Sequence, residues 1–442
     1  MLGKIKKILY PLVLILFSSF SFYGHLSNGW YLQTVPTSGS QIINDVTFLD
    51  SLKGFLITSR NINPDTASIL KTTNGGDSWE VIFQMTPRRF NKLHFINDTV
   101  GYVCGYSGFP LLLKTTNAGN NWFEVATPGL LEWTDMSILS TDTIYLVDDN
   151  GFNGGIFRTT DGGQNWLRIL GPSGSLPDKI YMVNGELGFI TDGNYLRRTT
   201  DGGFTWQNIP SVGGFTDMVF YDSLIGWKAG SDYEIYMTTN GGINWTQQYL
   251  FRNGIVLSGI IDISMINKDT LWGVGGLIYT NPGYRPIIHK TTNGGLNWGY
   301  QLLDTGITVP FRYIQFINAK NGWSYSLNSG VHTKTGGNDT TIYTNIKQIS
   351  NEIPDDYQLL QNYPNPFNPV TIIEFQIRKT SFVRLSVYDI TGKHISDLVN
   401  KNLTRGEYSS EFNATNLPSG IYFYTLIING KTIDTKKMIL LK

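Results

Sequence analysis

The sequence of 442 residues has little cysteine, little charge and no excess of charge of either sign. Its single cysteine, Cys104, excludes an intramolecular disulfide and a zinc site built from several thiolates. We interpret Cys104, in the run VGYVCGY, as a small buried apolar residue. Charged residues make up only 15% of the chain, and 34 basic residues balance 34 acidic ones. This balance argues against nucleic acid and anionic membranes as partners, because both favour a basic excess.

The sequence also lacks the common motifs of enzymes and metal sites. It contains no GxSxG elbow, no HExxH pair and no glycine-rich phosphate loop. The segment DDNGFNGG from Asp148 lacks the alternating acidic ligands of a calcium loop, and we interpret it as a turn. We predict no metal site and no cofactor, because the five histidines show no ligand spacing. These histidines are His25, His94, His289, His332 and His394.

One long apolar run occurs, at the N-terminus, in MLGKIKKILYPLVLILFSSFSFYG. Three lysines precede the run, and Ser19 and Ser21 suit the positions before a signal-peptidase site. We predict a signal peptide at residues 1–21, with export of the remaining chain. The alternative, a membrane anchor, needs a longer run, and no other segment is long enough to cross a bilayer. No cysteine lies directly after the run, which argues against a lipoprotein.

A short turn sequence recurs along the chain: KTTNGGDSW from Lys71 returns as KTTNAGNNW, RTTDGGQNW, RTTDGGFTW, MTTNGGINW and KTTNGGLNW. The closing tryptophans are 43, 44, 40, 39 and 53 residues apart, which is close to the length of one blade of a β-propeller. We call these segments the box turns. We predict that the Asn or Asp and the Gly shape a tight hairpin, with the amides two residues on as partners, and that the Trp is buried beneath it. These structural residues are Asn74, Gly76, Trp79, Asn117, Gly119, Trp122, Asp161, Gly163, Trp166, Asp201, Gly203, Trp206, Asn240, Gly242, Trp245, Asn293, Gly295 and Trp298.

A second repeated feature, an apolar residue followed six or seven positions later by an aromatic one, occurs seven times, for example in FLDSLKGF from Phe48. The seventh box turn, HTKTGGND from His332, lacks its tryptophan, whereas NGWYLQTV around Trp30 resembles the strand that follows a box turn. We therefore predict an all-β fold with a seven-bladed β-propeller at residues 22–344. The N-terminal strand would complete the last blade and remove the open sheet edges.

The box turns resemble the Asp-box, or bacterial neuraminidase repeat (BNR), propellers. The looser pattern of GYVCG before LLKTTNAGNNW is similar to the photosystem II assembly-factor propellers. The resemblance covers roughly Trp30 to Thr344 and implies the fold. It does not imply one function, because these families include sialidases, xyloglucanases, sorting receptors and assembly factors.

The C-terminal part follows a polar connector predicted at residues 345–357. Short alternating runs at residues 358–442 predict a small Ig-like β-sandwich. YPNPFNP, VYDITGK, LPSGIYFY and the terminal KKMILLK resemble the type A C-terminal sorting domain of the type IX secretion system. The resemblance implies the secretion machinery as a partner, release or attachment at the cell surface, and removal of the domain after transport. The alternative is an Ig-like binding module without a role in export.

The propeller face opposite the box turns has the longer loops, where we expect a ligand to bind. The predicted ligand-binding residues are Arg88, Arg89, Trp133, Phe251, Arg252, Tyr284, Arg285 and Arg312. We interpret the protein as a non-catalytic propeller that binds a protein or glycan at the cell surface or after secretion. One alternative is an exported glycoside hydrolase, sialidase- or xyloglucanase-like, with a pair of carboxylates. The other is an assembly chaperone.

Overall fold

The computed structural model describes residues 29–442 with short gaps. These gaps are residues 38–40, 61–65, 87–88, 107, 129–131, 149–154, 170–176, 211, 231–233, 249, 251–254, 258, 281–282, 304–305, 338–340, 343–345, 351–353 and 415–416. All regular elements in the described part are β-strands, which confirms the all-β prediction. Within the same residues, no helix has the length and apolar character needed to span a membrane.

The described strands up to Ile342 form seven sheets, each built as an antiparallel meander. The described part of the chain begins with β1 (Trp30–Thr34) and continues into the first two complete sheets. Their strands are β2 (Ile42–Phe48), β3 (Gly54–Ser59), β4 (Ala67–Thr72), β5 (Glu80–Met85), β6 (Arg89–Phe95), β7 (Gly101–Tyr106), β8 (Pro110–Thr115) and β9 (Phe123–Glu124).

The third, fourth and fifth sheets repeat this order of four strands. Their strands are β10 (Asp135–Ile138), β11 (Ile144–Asp148), β12 (Gly155–Thr159), β13 (Leu167–Ile169), β14 (Pro177–Met182), β15 (Gly188–Asp192), β16 (Tyr195–Thr199), β17 (Gln207–Ile209), β18 (Phe215–Phe220), β19 (Gly226–Gly230), β20 (Ile235–Thr238) and β21 (Thr246–Gln248).

The sixth sheet is enlarged, and the seventh is shared between distant parts of the chain. Their strands are β22 (Ile255–Leu257), β23 (Asp262–Met265), β24 (Leu271–Thr280), β25 (Gly283–Thr291), β26 (Gly299–Leu302), β27 (Tyr313–Phe316), β28 (Gly322–Tyr325), β29 (Ser329–Thr333) and β30 (Thr341–Ile342). In the sixth sheet, β22 pairs with the far end of β24, and β30 pairs with β26.

The ring is closed by the N-terminal strand. β1 pairs with β29, and Trp30 lies opposite Thr333, as predicted for the missing part of the seventh box turn. The inner strands contact one another in order around the ring, and β27 contacts β2 to complete it. Every sheet of the ring is thus packed between two neighbours, which buries both faces of the second strands, such as β3 and β11.

In five of the seven sheets, the second repeated sequence feature is explained by a close approach of an apolar side chain to a glycine. The ring of Phe48, at the end of β2, lies over Gly54, at the start of β3, where a Cβ atom would be 2.6 Å from the ring. Gly101 and Phe95 are arranged in the same way. A larger residue at the glycine would displace the aromatic ring from the core between two sheets.

The box turns owe their shape to a threonine as much as to the Asn or Asp. Thr72 Oγ1 accepts hydrogen bonds from the backbone N–H groups of Asn74 and Gly76, and Asn74 Oδ1 accepts one from Ser78 N at 2.9 Å. The Asn thus binds the amide four residues on, and the predicted spacing of two is wrong. The five other complete turns repeat this pattern, and the seventh keeps the threonine bonds through Thr333.

The box tryptophans are less uniform than predicted. Trp79 and Trp298 are buried, whereas the other four are partly exposed. The indole N–H of Trp166 donates to Ala126 O at 3.1 Å, that of Trp206 to Gly203 O at 2.9 Å, and that of Trp298 to Gln248 Oε1 at 3.0 Å. The indoles of Trp166 and Trp298 therefore bond to the preceding repeat, whereas that of Trp206 bonds to its own turn.

The C-terminal part is a sandwich of two four-stranded sheets, β31-β36-β33-β32 and β35-β34-β37-β38. Its strands are β31 (Ile346–Ser350), β32 (Gln358–Leu359), β33 (Val370–Ile377), β34 (Ser381–Asp389), β35 (His394–Leu403), β36 (Gly406–Asn413), β37 (Gly420–Ile428) and β38 (Lys431–Leu440). Its core includes Phe375, Val387 and Tyr424. The connector predicted at residues 345–357 is in part β31, which pairs with β36, because the chain enters the sandwich earlier than its polar composition indicated.

Candidate binding site

The inner strands bring seven side chains to one level of the central channel. Each lies opposite the fourth residue of the second strand in its sheet, as Asp45 lies opposite Ile57. We call this set the channel ring. It consists of Asp45, Lys92, Asp135, Lys179, Asp217, Asp262 and Tyr313.

The aspartates of the channel ring join neighbouring blades. Asp45 Oδ2 accepts a hydrogen bond from Leu93 N at 3.0 Å, and Asp135 Oδ2 accepts one from Ile180 N at 3.0 Å. Asp217 and Asp262 accept bonds of 2.8 and 2.6 Å from the following inner strands. Inner strands of different sheets do not form a β-ladder with each other, so some of their backbone N–H groups need another acceptor. The aspartate carboxylates supply that acceptor and therefore have a structural role.

Burial and charge perturb the titration of the channel groups. The pKa of Lys92 is raised, chiefly by the charge of Asp45, whose Oδ2 lies 3.3 Å from Lys92 Nζ. Burial, followed by the charge of Lys92, lowers the pKa of His94 to about 4, so His94 is neutral at physiological pH. The pKa of Asp217 and that of Asp262 are raised by burial, and the Asp217 charge adds to the shift of Asp262.

The channel mouth opposite the box turns is lined by Asn44, Asn91, Glu132, Lys179 and Arg312, around a cavity of about 440 Å³. Glu132 Oε1 accepts a hydrogen bond from Asn91 Nδ2 at 2.7 Å. The guanidinium Nη1 of Arg89 lies 3.8 Å from the same oxygen. Lys179 also lines an inner cavity of about 290 Å³, which it shares with Lys92 and His94. This mouth combines charge with an opening to solvent.

A second feature of the same face is an extension of the sixth sheet. Strands β24 and β25 have ten and nine residues, and β22 pairs with the extended part of β24. Near the hairpin tip, Tyr279 and Tyr284 are 52% and 45% exposed, and their ring centroids are 5.4 Å apart at 71°. The extension accounts for the 53 residues between Trp245 and Trp298.

The structure separates the predicted ligand-binding residues. Arg89, Tyr284 and Arg312 are at least partly exposed on the predicted face. Arg285 lies within β25, opposite Ile278, and is half-buried.

The prediction for Trp133 is wrong, because its side chain is fully buried. It packs edge-on against Phe157 and donates its indole N–H to Thr127 Oγ1 at 3.2 Å. Arg88, Phe251 and Arg252 lie outside the described residues.

Sequence reasoning missed the channel ring, although the repeats contain a signal for it. In each repeat the ring residue stands three positions before the apolar residue that ends the inner strand, as Asp45 precedes Phe48 and Lys179 precedes Met182. Aligning the seven repeats on that apolar residue places a charged side chain in six of them. Among the described residues, no cluster of histidine, cysteine and acidic side chains could hold a metal ion.

Seven meander sheets in a ring, closed by a strand from the N-terminus and followed by a β-sandwich, define a β-propeller protein with an added C-terminal domain. A family model described as "Photosynthesis system II assembly factor YCF48" matches residues 24–276, more than half of the chain. The chain therefore belongs to this family. A second model, "Secretion system C-terminal sorting domain", matches residues 361–441 and indicates export through the type IX secretion system.

Relatives with known names support the propeller assignment. The chain is 23% identical over 334 residues to the photosystem II stability/assembly factor HCF136 of Arabidopsis thaliana, covering 66% of this chain and 76% of that protein. It is 26% identical over 308 residues to the photosystem II assembly protein Ycf48 of Synechococcus sp. (strain JA-2-3B'a(2-13)), covering 66% and 85%. A solved structure titled "YCF48 bound to D1 peptide" superposes with a TM-score of 0.51 at 20% identity, covering 70% of this chain and 97% of that one. This structural likeness concerns the fold.

Proposed function

We propose that the protein is a non-catalytic binding protein whose propeller holds a protein or glycan ligand on the face opposite the box turns. The observation that carries the proposal is the extension of the sixth sheet. It adds β22 and a long hairpin to that face and exposes Tyr279 and Tyr284 near its tip. Exposed aromatic side chains on a loop beyond the needs of the fold suit ligand recognition. The similar structure titled "YCF48 bound to D1 peptide" also supports a polypeptide ligand.

A binding role is favoured over glycoside hydrolysis by the state of the channel carboxylates. A glycosidase needs two carboxyl groups free to exchange protons or attack a sugar. Asp45, Asp135, Asp217 and Asp262 each accept a backbone hydrogen bond from the next blade. If one of these carboxylates acted as an acid, base or nucleophile, it would have to give up the hydrogen bond that joins two blades.

The place of action follows from the two ends of the chain. We propose that residues 1–21 are a signal peptide, that the propeller extends to about residue 344, and that residues 358–442 direct the protein to the cell surface or the medium. Deleting residues 358–442 should leave the propeller in the periplasm of a type IX host. Mass spectrometry of the exported protein would identify its first residue and show whether the sorting domain is removed.

The binding proposal is tested by probing the exported protein on peptide and glycan arrays, with the same preparation assayed for glycosidase release. We expect binding without turnover, and at least tenfold weaker binding for the Tyr279→Ala/Tyr284→Ala double variant, since exposed aromatic anchors dominate recognition. Tyr221→Ala is the matched control, because Tyr221 is 51% exposed on the box-turn face. Turnover abolished by one Asp or Glu substitution would contradict the proposal.

A further inference from the structure

Two lysines of the channel ring have the same register and different surroundings. Lys92 forms an ion pair with Asp45 at 3.3 Å. Lys179 lies at the corresponding position of β14, and its side chain makes no ion pair or hydrogen bond with the described residues. Its charge acts on Asp217 through a longer-range attraction. Lys179 therefore places a positive charge in the channel without a direct partner among the described residues.

A second cation of the same kind lies across the mouth. Arg312 precedes β27, is exposed, and lines the 440 Å³ cavity together with Lys179. Only its backbone N–H, which donates to Tyr325 O at 2.7 Å, is bonded among the described residues. The one acidic residue that lines this cavity, Glu132, is already bound to Asn91 and lies near Arg89. The mouth therefore has two cations available to an incoming anion.

A carboxylate fits this arrangement. The guanidinium fork of Arg312 matches the two oxygens of a carboxylate, and the Lys179 ammonium acts as a point charge beside it. Asp135 and Asp217 do not serve as the carboxylate partner of these two cations, since each accepts a hydrogen bond from a backbone N–H of the next blade.

The size and shape of the site favour a peptide side chain over a sugar chain. The cavity at the channel mouth measures about 440 Å³, towards the small end of ligand pockets. The two exposed rings of the sixth-sheet extension stand at 71° to each other, so they present no continuous flat platform. We propose that the channel mouth is a carboxylate-binding site, in which Lys179 and Arg312 receive an aspartate or glutamate side chain from a peptide segment of a partner protein. This inference rests on the proposed binding function.

The test uses the exported full chain and a fluorescein-labelled decaglutamate peptide, followed by fluorescence anisotropy. Decaglutamine, decalysine and an oligogalacturonate serve as comparison probes. We expect decaglutamate to bind more tightly than the other three, with binding that weakens as salt is added. Lys179→Gln and Arg312→Gln should each weaken it about fivefold, the upper range for a partly exposed ion pair. Lys268→Gln is the matched control, since Lys268 is exposed on the box-turn face and should leave binding unchanged.

The inference fails if Lys179→Gln and Arg312→Gln bind decaglutamate as well as Lys268→Gln does. It also fails if oligogalacturonate binds more tightly than decaglutamate, or if decalysine is the preferred probe. Lys179→Arg, which keeps the charge, should retain most of the affinity, and thermal melting confirms that each variant is folded. If decaglutamate does not bind while an array ligand depends on Tyr279 and Tyr284, the mouth inference is wrong and the proposed function stands.

Discussion

The blades of this propeller are joined in two chemically different ways. The residue three positions after the box tryptophan, or after Trp30 in the closing blade, packs against the box turn of the next blade. In the first four blades this residue is apolar, and in the last three, including the blade closed by β1, it is glutamine. The apolar residues are Ile82, Val125, Ile169 and Ile209, and the glutamines are Gln248, Gln301 and Gln33. Ile209 is the exception among the described contacts, since it packs with Trp245 against one core cluster.

The glutamine joints are directional. Gln301 Nε2 donates to Gly336 O at 3.2 Å, and Gln301 Oε1 accepts the indole N–H of Trp30 at 3.0 Å. Gln248 binds Gly294 O and the indole of Trp298 in the same way, at 3.0 Å each. The box glycine allows this contact, because a Cβ at Gly295 or Gly337 would overlap the glutamine amide. An apolar joint such as that of Ile169 buries apolar surface, and this contribution does not depend on a particular orientation of the side chains.

The difference between apolar and glutamine joints indicates which neighbouring blades need a specific contact to pair correctly. The strands of the first six blades follow one another in sequence, so short connections already bring neighbours together. The joints of Gln301 and Gln33 involve the seventh blade, whose closing strand comes from about 300 residues away in the chain and costs more loop entropy. Hydrogen bonds that are buried and fully satisfied specify one arrangement, whereas apolar contact tolerates several. We infer that the joints of Gln301 and Gln33 fix the register of the closing strand.

The largest effect is expected from Trp30→Ala. Trp30 is fully buried at the closing joint, in edge-on contact with Phe316. Its truncation should lower the free energy of unfolding by about 3–5 kcal/mol, the usual cost of removing a buried Trp. Chemical denaturation followed by fluorescence measures the loss. Trp206→Ala, at a partly exposed box tryptophan beside an apolar joint, should cost about half as much or less. Equal losses of unfolding free energy in the two variants would contradict the distinction between the closing joint and the apolar joints.

A smaller effect is expected from Gln301→Leu, which keeps the volume of the joint and removes its hydrogen bonds. The indole N–H of Trp30 and the carbonyl of Gly336 would both lose their partner. A buried unsatisfied group costs about 1–3 kcal/mol, so we expect a loss of about 2–3 kcal/mol in the free energy of unfolding. Ile169→Leu, in an apolar joint, should cost less than about 1.5 kcal/mol. A neutral or stabilising Gln301→Leu would show that the hydrogen bonds are dispensable.

The smallest effect, and the one that depends on pH, is expected from Asp262→Asn. Burial and the Asp217 charge raise the pKa of Asp262 above its ordinary value of 3.8. Folding therefore favours the protonated form, whose contribution is present below that value and is lost as the pH rises through the raised pKa. The variant keeps an oxygen acceptor for Ile314 N and removes the charge. Its stability relative to the parent should increase as the pH rises above 3.8, and level off once the pH passes the raised pKa of Asp262.

Asp45→Asn is the control for this pH series. Asp45 has a cation partner in Lys92, so its neutral replacement breaks an ion pair instead of relieving repulsion. It should therefore be less stable than the parent at neutral pH. If both variants show the same dependence on pH in thermal melts, the contrast between a paired and an unpaired carboxylate is wrong.

Much of the fold could be predicted because its information is local and repeated. Each box turn contains its own threonine, Asn or Asp and glycine, and the missing tryptophan of the seventh turn pointed to Trp30 at the other end of the chain. The sandwich was predictable from alternating runs such as FVRLSVYD, which is β34. These features depend on residues within a few positions of each other.

The candidate site was harder to predict because it depends on distant residues. Lys179 and Arg312 meet only when the inner strands of different blades share one register around the channel. Trp133 was predicted as exposed because it lies in a connection between blades, yet the chain there enters the core beside Phe157. β31 was hidden for a similar reason, since its partner β36 lies about 60 residues further along the chain.

Hydrogen–deuterium exchange of the intact protein tests the closure of the ring most directly. If β1 pairs with β29, the ladder amides of Trp30–Thr34 should exchange as slowly as those of Ser329–Thr333, because both segments belong to the same hydrogen-bonded sheet. Gln301→Leu should speed exchange in both segments more than in β3. Exchange of Trp30–Thr34 at the rate of an unstructured peptide, with Ser329–Thr333 still protected, would contradict the account.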